Sequence, residues 1–297
     1  MGKVVQISIL AKIVGNVNAD EVIGNRATLK KMYSSDGEVL PFVSARAIKF
    51  AIREALRQRS YDIDPYQKKG DQLLDSGNPV KYIDNDLFGY MHAPKKEEGQ
   101  KKGVIALRRQ APIAISYLKS LRNTPIKSEF AARFPRTDGD GENPVPFEIE
   151  VAEFIGRLNC LIYEYVGLKS SDEKKEWELK REERNKRIKD FLEILLTPTY
   201  VLPRRTNSLN IPEYYVSLVT LSERGPLPIY QYLDYVNDKT IMLSIDMLNL
   251  MMSRPEIRNN IKEAYLIDYH NALDKPVNGF SSPSLSDAIG RIISFLQ

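Results

Sequence analysis

The run Lys3 to Val14, KVVQISILAKIV, constrains the fold more than any other segment of this chain. It is rich in β-branched residues and long enough for an extended, largely buried element, so it predicts a central strand of a sheet. A second run, Phe147 to Tyr165, sets Phe147, Ile149 and Val151 against Glu148, Glu150 and Glu153, then becomes almost wholly apolar. That is the pattern of a strand that projects from the body before entering the core. Together with Gly103 to Ser116, GVIALRRQAPIAIS, it predicts one long hairpin whose tip is Lys119 to Pro146. The tip carries Pro125, Pro135, the DGDG of Asp138 to Gly141, Pro144 and Pro146. A connection of that length is usually functional or disordered.

Between these strands lies Val43 to Arg59, VSARAIKFAIREALRQR. Ser44 is a suitable N-cap, and Ile48, Ile52, Ala55 and Leu56 recur at helical spacing as a packing face. Arg46, Lys49, Arg53 and Arg57 fall at i, i+3, i+7 and i+11, which lines four cations along the other side. A polyanion can lie along such a stripe; a solvated face that keeps the helix soluble is the alternative. Charge is clustered elsewhere too. Lys119 to Arg136 holds five basic residues and one acid, whereas Asp138 to Glu153 holds six acids and no base, under a net charge of only +4. Local basic clusters point to an anionic partner, nucleic acid first, and the acidic stretch argues against a uniform DNA coat.

The 42% hydrophobic content is enough to bury a real core in 297 residues. Gly15 to Phe42 reads as a long loop with a hairpin around Asp36-Gly37. From Ser60 to Gly103 regular periodicity fades among Pro65, Gly70, Gly77, Pro79, Pro94 and the charged KKEEGQKK, as in an insertion on a compact scaffold. Within it, Leu87 and Phe88 of DNDLFGYM are expected to anchor the insertion to the core. Ser170 to Leu196 predicts a helix starting at Ser171, Asp172 and Glu173 and stopping before Pro198, with Glu176–Lys180, Glu182–Lys186 and Glu183–Arg187 as i,i+4 pairs. Tyr214 to Leu221 predicts another strand, and Ile241 to Met252 with Leu285 to Leu296 are apolar segments that cover the sheet. The order strand, helix, strand, strand, helix, strand is ferredoxin-like, an α+β arrangement shared by RNA-recognition-motif domains. Fold alone does not fix function.

Enzymatic signatures are missing. His92 and His270 are the only histidines, Cys160 is the only cysteine, and no zinc-ligand spacing or phosphate-binding glycine loop occurs. Cys160 sits among apolar neighbours as a small core residue, so no intramolecular disulfide forms and a cytoplasmic compartment is expected. Asp138 and Asp140 are better read as a flexible loop than as metal ligands. No cofactor is expected, and neither a signal peptide nor a membrane span. An RNA-recognition sheet signature is also absent, so backbone phosphates are expected to meet the Arg46 to Arg57 stripe and the amides near Ser44. Arg26, Lys30, Arg108 and Arg109 are further candidates, with a solvated surface cation as the alternative for each.

Several short motifs carry a resemblance. Asn18-Ala19-Asp20 with Gly24-Asn25, the SARAIKFAIRE helix start, DNDLFGYM and the Arg108 to Ser116 strand resemble the DevR-type family of CRISPR-associated backbone subunits, in the crRNA-binding Cas seven superfamily. The resemblance runs to about Leu221 and adds little over the last 75 or so residues. It implies a single RNA-recognition-motif-like palm over residues 1–297, with a finger insertion at 60–103 and a thumb hairpin whose tip is 119–146. Such subunits form the spine of type I surveillance complexes, called Cascade: copies stack head to tail along guide RNA, and each thumb turns a nucleotide outward at regular intervals. The other guide bases stay exposed for pairing with target DNA. The implied partners are CRISPR guide RNA, target DNA through the guide, further copies of the chain and other Cascade subunits, in antiviral defence. Asn18, Ser44, Arg46, Lys49 and Arg53 would then serve guide RNA, with Phe130 and Phe134 as wedge and Arg133 as the neighbouring cation. No catalytic residue is implied. Type III relatives cut target RNA with an aspartate in the loop after the first strand, where Asp20 and Asp36 lie here; a homomeric scaffold without nucleic acid is a further alternative.

Overall fold

The computed structural model describes residues 2–17, 19–69, 72–92, 107–133, 145–173, 176–203, 209–237, 242–271, 273 and 276–297. The chain opens with β1 (Val4–Gly15), followed by two hairpins, β2 (Ala19–Ile23) with β3 (Arg26–Leu29) and β4 (Lys31–Tyr33) with β5 (Val39–Val43). Gly37, at φ +86°, closes the expected turn between the last pair. Helix α1 (Ala45–Gln58) comes next, then β6 (Gln67–Lys69) and β7 (Gln72–Leu74), α2 (Ile83–Phe88), and β8 (Tyr90–His92) paired with β9 (Leu107–Arg109). Three short strands, β10 (Ile113–Ile115), β11 (Leu118–Ser120) and β12 (Lys127–Arg133), then pair in turn along β13 (Val145–Tyr163). The chain ends with α3 (Arg181–Leu196), β14 (Glu213–Ser222), β15 (Tyr235–Asn237), β16 (Met242–Leu243), α4 (Ile245–Ser253), α5 (Pro255–Arg258), β17 (Ile261–Asp268) and α6 (Leu285–Leu296).

The architecture is α+β, built on a large, mainly antiparallel sheet in the order β17-β14-β1-β13-β11-β5-β4. β1 is central as expected, with β13 on one side and β14 on the other. One face of the sheet, including Val5, Ile7, Ile9, Ala11 and Ile13 of β1, packs with Ile48, Ile52 and Leu56 of α1, Phe191 and Leu195 of α3 and Ile292 of α6. The opposite face, including Leu10 and Val216, is partly covered by the segment after β14 through Ile229, Leu233, Leu248 and Met251. Alternation along each strand thus feeds two cores. Cys160 is buried in the first of them, and Leu87 and Phe88 do anchor the insertion there.

β1 pairs with β13 from Ala152 onward, so the first residues of β13 extend past it and meet β12 and β3 instead. This is the projecting strand that the glutamate alternation implies. The long hairpin is segmented: Gly103 to Ser116 is not one strand, because β9 pairs with β8 while β10 joins β13, and Pro112 lies between them. The tip is also shorter than 119–146, since Ser120 already pairs with the body and β12 begins at Lys127.

The largest departure is the helix expected over Ser170 to Leu196. Among the described residues of that span, only Arg181–Leu196 is helical. Ser170 and Glu173 belong to a buried turn in which the Glu173 carboxylate accepts the Ser170 amide at 2.8 Å, the Trp177 indole at 3.0 Å and Arg109 at 2.7 Å. Those bonds hold the carboxylate inside the protein, where a solvent-facing first helical turn could not put it. Of the expected i,i+4 pairs, Glu183–Arg187 forms at 3.1 Å, and Glu176 reaches Lys169 instead.

Candidate nucleic-acid interface

Helix α1 presents the candidate interface. Ser44 caps it: its hydroxyl accepts the Ala47 amide at 3.2 Å and its carbonyl the Ile48 amide at 3.1 Å. Ala47, Ile48, Ala51, Ile52, Ala55 and Leu56 are buried, so the helix can turn only its other side outward. Arg46 lies exposed in the first turn, and no carboxylate among the described residues pairs with it. Lys49 is half-buried over the Phe88 ring at 5.3 Å, and burial, aided by the Arg53 charge, lowers its amine below the usual lysine value. Arg53 stacks on the same ring at 5.1 Å and pairs with the buried Asp84 at 3.1 Å. Arg57 pairs with Glu54.

The four-cation stripe is therefore graded. Its N-terminal end is open, its middle is docked onto α2, and its C-terminal end is neutralised. Sequence reading overlooked Phe50, 53% exposed and four residues after Arg46. An apolar ring on the polar side of an amphipathic helix is the signal that could have revealed it, because a core residue does not belong there. Arg46 and Phe50 together offer a phosphate contact and a stacking surface.

The other candidates scatter. Arg26, in β3, is bound to Glu148 at 2.6 Å beside the base of the β12–β13 hairpin. Lys30 follows β3, and its carbonyl accepts the Phe42 amide at 3.1 Å. Arg108 is exposed, 3.7 Å from Asp172. Phe130, in β12, is 73% exposed, as a wedge would be. Arg133 ends β12, but its side chain, like all of Asn18 and Phe134, lies outside the described residues.

Arg109 is corrected outright: it is fully buried, not surface-facing. Its guanidinium binds Asp86 and Glu173, each at 2.7 Å, and the carbonyls of Asp86, Tyr165 and Leu168, with Trp177 stacked at 4.7 Å. Asp86 also binds Arg187 of α3 at 2.9 Å and the Gly167 amide at 3.0 Å. Gly89, at φ +70°, lets α2 end against this group, since a Cβ there would lie 2.4 Å from the Arg109 carbonyl oxygen. Burial alone would raise the Glu173 carboxyl; the Ser170 amide, Arg109 and Trp177 outweigh it and hold the group below its ordinary value.

Among the described residues no cluster of His, Cys, Asp and Glu could hold a metal ion, and no helix is long and apolar enough to cross a membrane. Asp36 accepts the Ser34 hydroxyl at 2.5 Å inside the β4–β5 turn. The Asp20 side chain is outside the described residues.

The fold defines a class. Two solved chains described as "CRISPR RNA-guided surveillance complex, pre-nicking" and "CRISPR RNA-guided surveillance complex" share it, at TM-scores of 0.60 and 0.58. Their sequence identity is 10% and 11%; the first match covers 99% of this chain and 100% of that one, the second 98% of each. The family model described as "CRISPR-associated negative auto-regulator DevR/Csa2" matches residues 13–229, and the chain belongs to that family. A Myxococcus xanthus (strain DK1622) relative, "CRISPR-associated protein Cas7/Cst2/DevR", is 29% identical over 142 residues, a stretch covering 43% of this chain and 46% of that protein.

Proposed function

We propose that this chain is a non-enzymatic backbone subunit of a type I CRISPR surveillance complex in the cytoplasm. It binds guide RNA, assembles with further copies and other subunits along it, and presents it for pairing with target DNA. The observation that carries this reading is α1, whose apolar side is packed while Arg46, Phe50 and Lys49 face outward or toward the rim, within the residues matched by the family model. Phosphates along such a face set affinity and register and leave the base edges to pair.

Two features support the finer picture. Taking β1, α1, β10, β13, α3 and β14 as the framework, the neighbours β14-β1-β13-β10 reproduce the fourth-first-third-second order of a ferredoxin-like palm. The β12–β13 hairpin, with Phe130 exposed, fits a thumb, and β6 to β8 with α2 fit a finger rooted in the core. The hydroxyl-bonded Asp36 reads as a turn residue and not as a catalytic acid.

Purified protein is expected to bind a CRISPR guide at low salt, with the logarithm of its affinity falling linearly with log salt. Protein that neither carries RNA nor binds guide would refute the reading. Target-RNA cleavage that an assembled complex loses on Asp20→Ala and Asp36→Ala would refute its non-enzymatic part.

A further inference from the structure

The sheet face turned away from α1 is only partly covered, and its bare strip carries a second cluster of aromatic and cationic groups. Val43, Leu118 and Leu158 point into the helix-side core, so their strand neighbours Phe42, Lys119 and Arg157 emerge on the opposite face. Lys119 is directly opposite Phe42 on β5 and directly opposite Arg157 on β13, which places the three in one row across the sheet. Tyr117 lies against Phe42, ring centroids 5.1 Å apart and tilted by 43°, and is 46% exposed.

Two like charges facing each other across a ladder repel. Arg157 is partly buried: burial, offset in part by the Asp234 carboxylate and reinforced by the Arg122 charge, lowers its guanidinium from the usual value, and its hydrogen bond at 2.9 Å goes to the neutral Leu233 carbonyl. Arg122, stacked at 4.8 Å on Tyr235, is paired with Asp234 at 3.0 Å. Lys119 is exposed with no carboxylate partner among the described residues. An anion seated between Lys119 and Arg157 would relieve the repulsion, beside rings that can stack on a planar base.

We propose that this strip binds a nucleotide of single-stranded nucleic acid, its phosphate between Lys119 and Arg157 and its base against Tyr117 and Phe42. The contact is separate from the α1 face, on the other side of the sheet, and rests on the guide-RNA reading only for the class of ligand. The exposed Lys119, with no carboxylate partner among the described residues, standing beside the Tyr117 and Phe42 rings favours a nucleotide, which brings a phosphate and a planar base together, over a second protein. Stacking on an aromatic platform tolerates any base, so little sequence preference is expected.

The test uses the full chain and a fluorescent oligouridylate. Tyr117→Ala and Lys119→Gln are expected each to weaken binding about fivefold or more, and Lys119→Gln to make the salt slope shallower by about 0.7. Photocrosslinking with 5-iodouridine is expected to label Tyr117. Melting curves serve as a control, because both side chains are exposed. Unchanged affinity in both variants, with Arg46→Ala still weakening binding, overturns this inference and leaves the α1 reading standing. Loss of self-association in sedimentation without loss of oligonucleotide affinity also overturns it, in favour of a protein interface. Wild-type protein that binds no oligonucleotide overturns both.

Discussion

Arginines do opposite work in two regions of this protein. On α1, Arg46 stands in solvent at the capped end of a helix, whereas around Asp86, Arg109 and Arg187 are withdrawn from water and tied to carboxylates and carbonyl oxygens. Arg108 and Arg109 show the contrast at a single step: their side chains are 70% and 0% exposed although they are adjacent in β9. Residue type does not assign a cation to a ligand; strand alternation and the carboxylates brought in from distant segments do. Asp86 and Glu173 arrive from 23 and 64 residues away, and Arg187 joins Asp86 from 101 residues away.

The sharpest way to break this contrast is to remove an arginine from each region. Arg109→Ala should cost about 3–5 kcal/mol, because Asp86 and Glu173 lose a buried partner; a denaturant midpoint close to wild type would make the buried group unimportant. Arg53→Ala is intermediate. It should cost about 1–3 kcal/mol by leaving the buried Asp84 short of its cation, and chemical denaturation reads this directly. For that reason Arg53 is a poor probe of RNA contact taken alone.

The buried group also sets a pH dependence. Because the folded protein holds Glu173 below its ordinary value of 4.5, the stability it contributes is complete above that value and is lost as pH falls through the lower folded value. Glu173→Gln should therefore flatten the acid limb of a stability-versus-pH curve below about pH 4.5; an unaltered limb would assign acid sensitivity to other carboxylates. At the surface the effects on folding become small. Arg46→Ala should change stability by less than about 0.5 kcal/mol, yet weaken guide RNA binding severalfold in a titration. Arg57→Ala, which breaks only an exposed pair with Glu54, should move stability by no more than about 0.5 kcal/mol.

Legibility of the sequence follows the same division. β1, α1, β13 and β14 were readable because local pattern and tertiary burial agree: β-branched runs lie in the sheet, and the apolar side of α1 lies on it. The start of α3 was not, because Ser171, Asp172 and Glu173 look like a helix cap, while the Glu173 carboxylate is claimed by Arg109, far away in sequence. Arg109 was misread for the same reason. The open strip of sheet escaped because Phe42, Tyr117 and Lys119 become neighbours only through the pairing of β11 with β5. Short-range pattern reports cores and the Ser44 cap of α1; it does not report which charges meet.

The central claim is that the outward side of α1 carries guide RNA. The most direct test is the salt dependence of guide binding by wild-type protein and by the Arg46→Ala, Lys49→Ala double variant, over the same range. Loss of two phosphate contacts should weaken binding by the folded protein at low salt and make the log–log slope shallower by about 1.4. Coincident lines for the two proteins would contradict it.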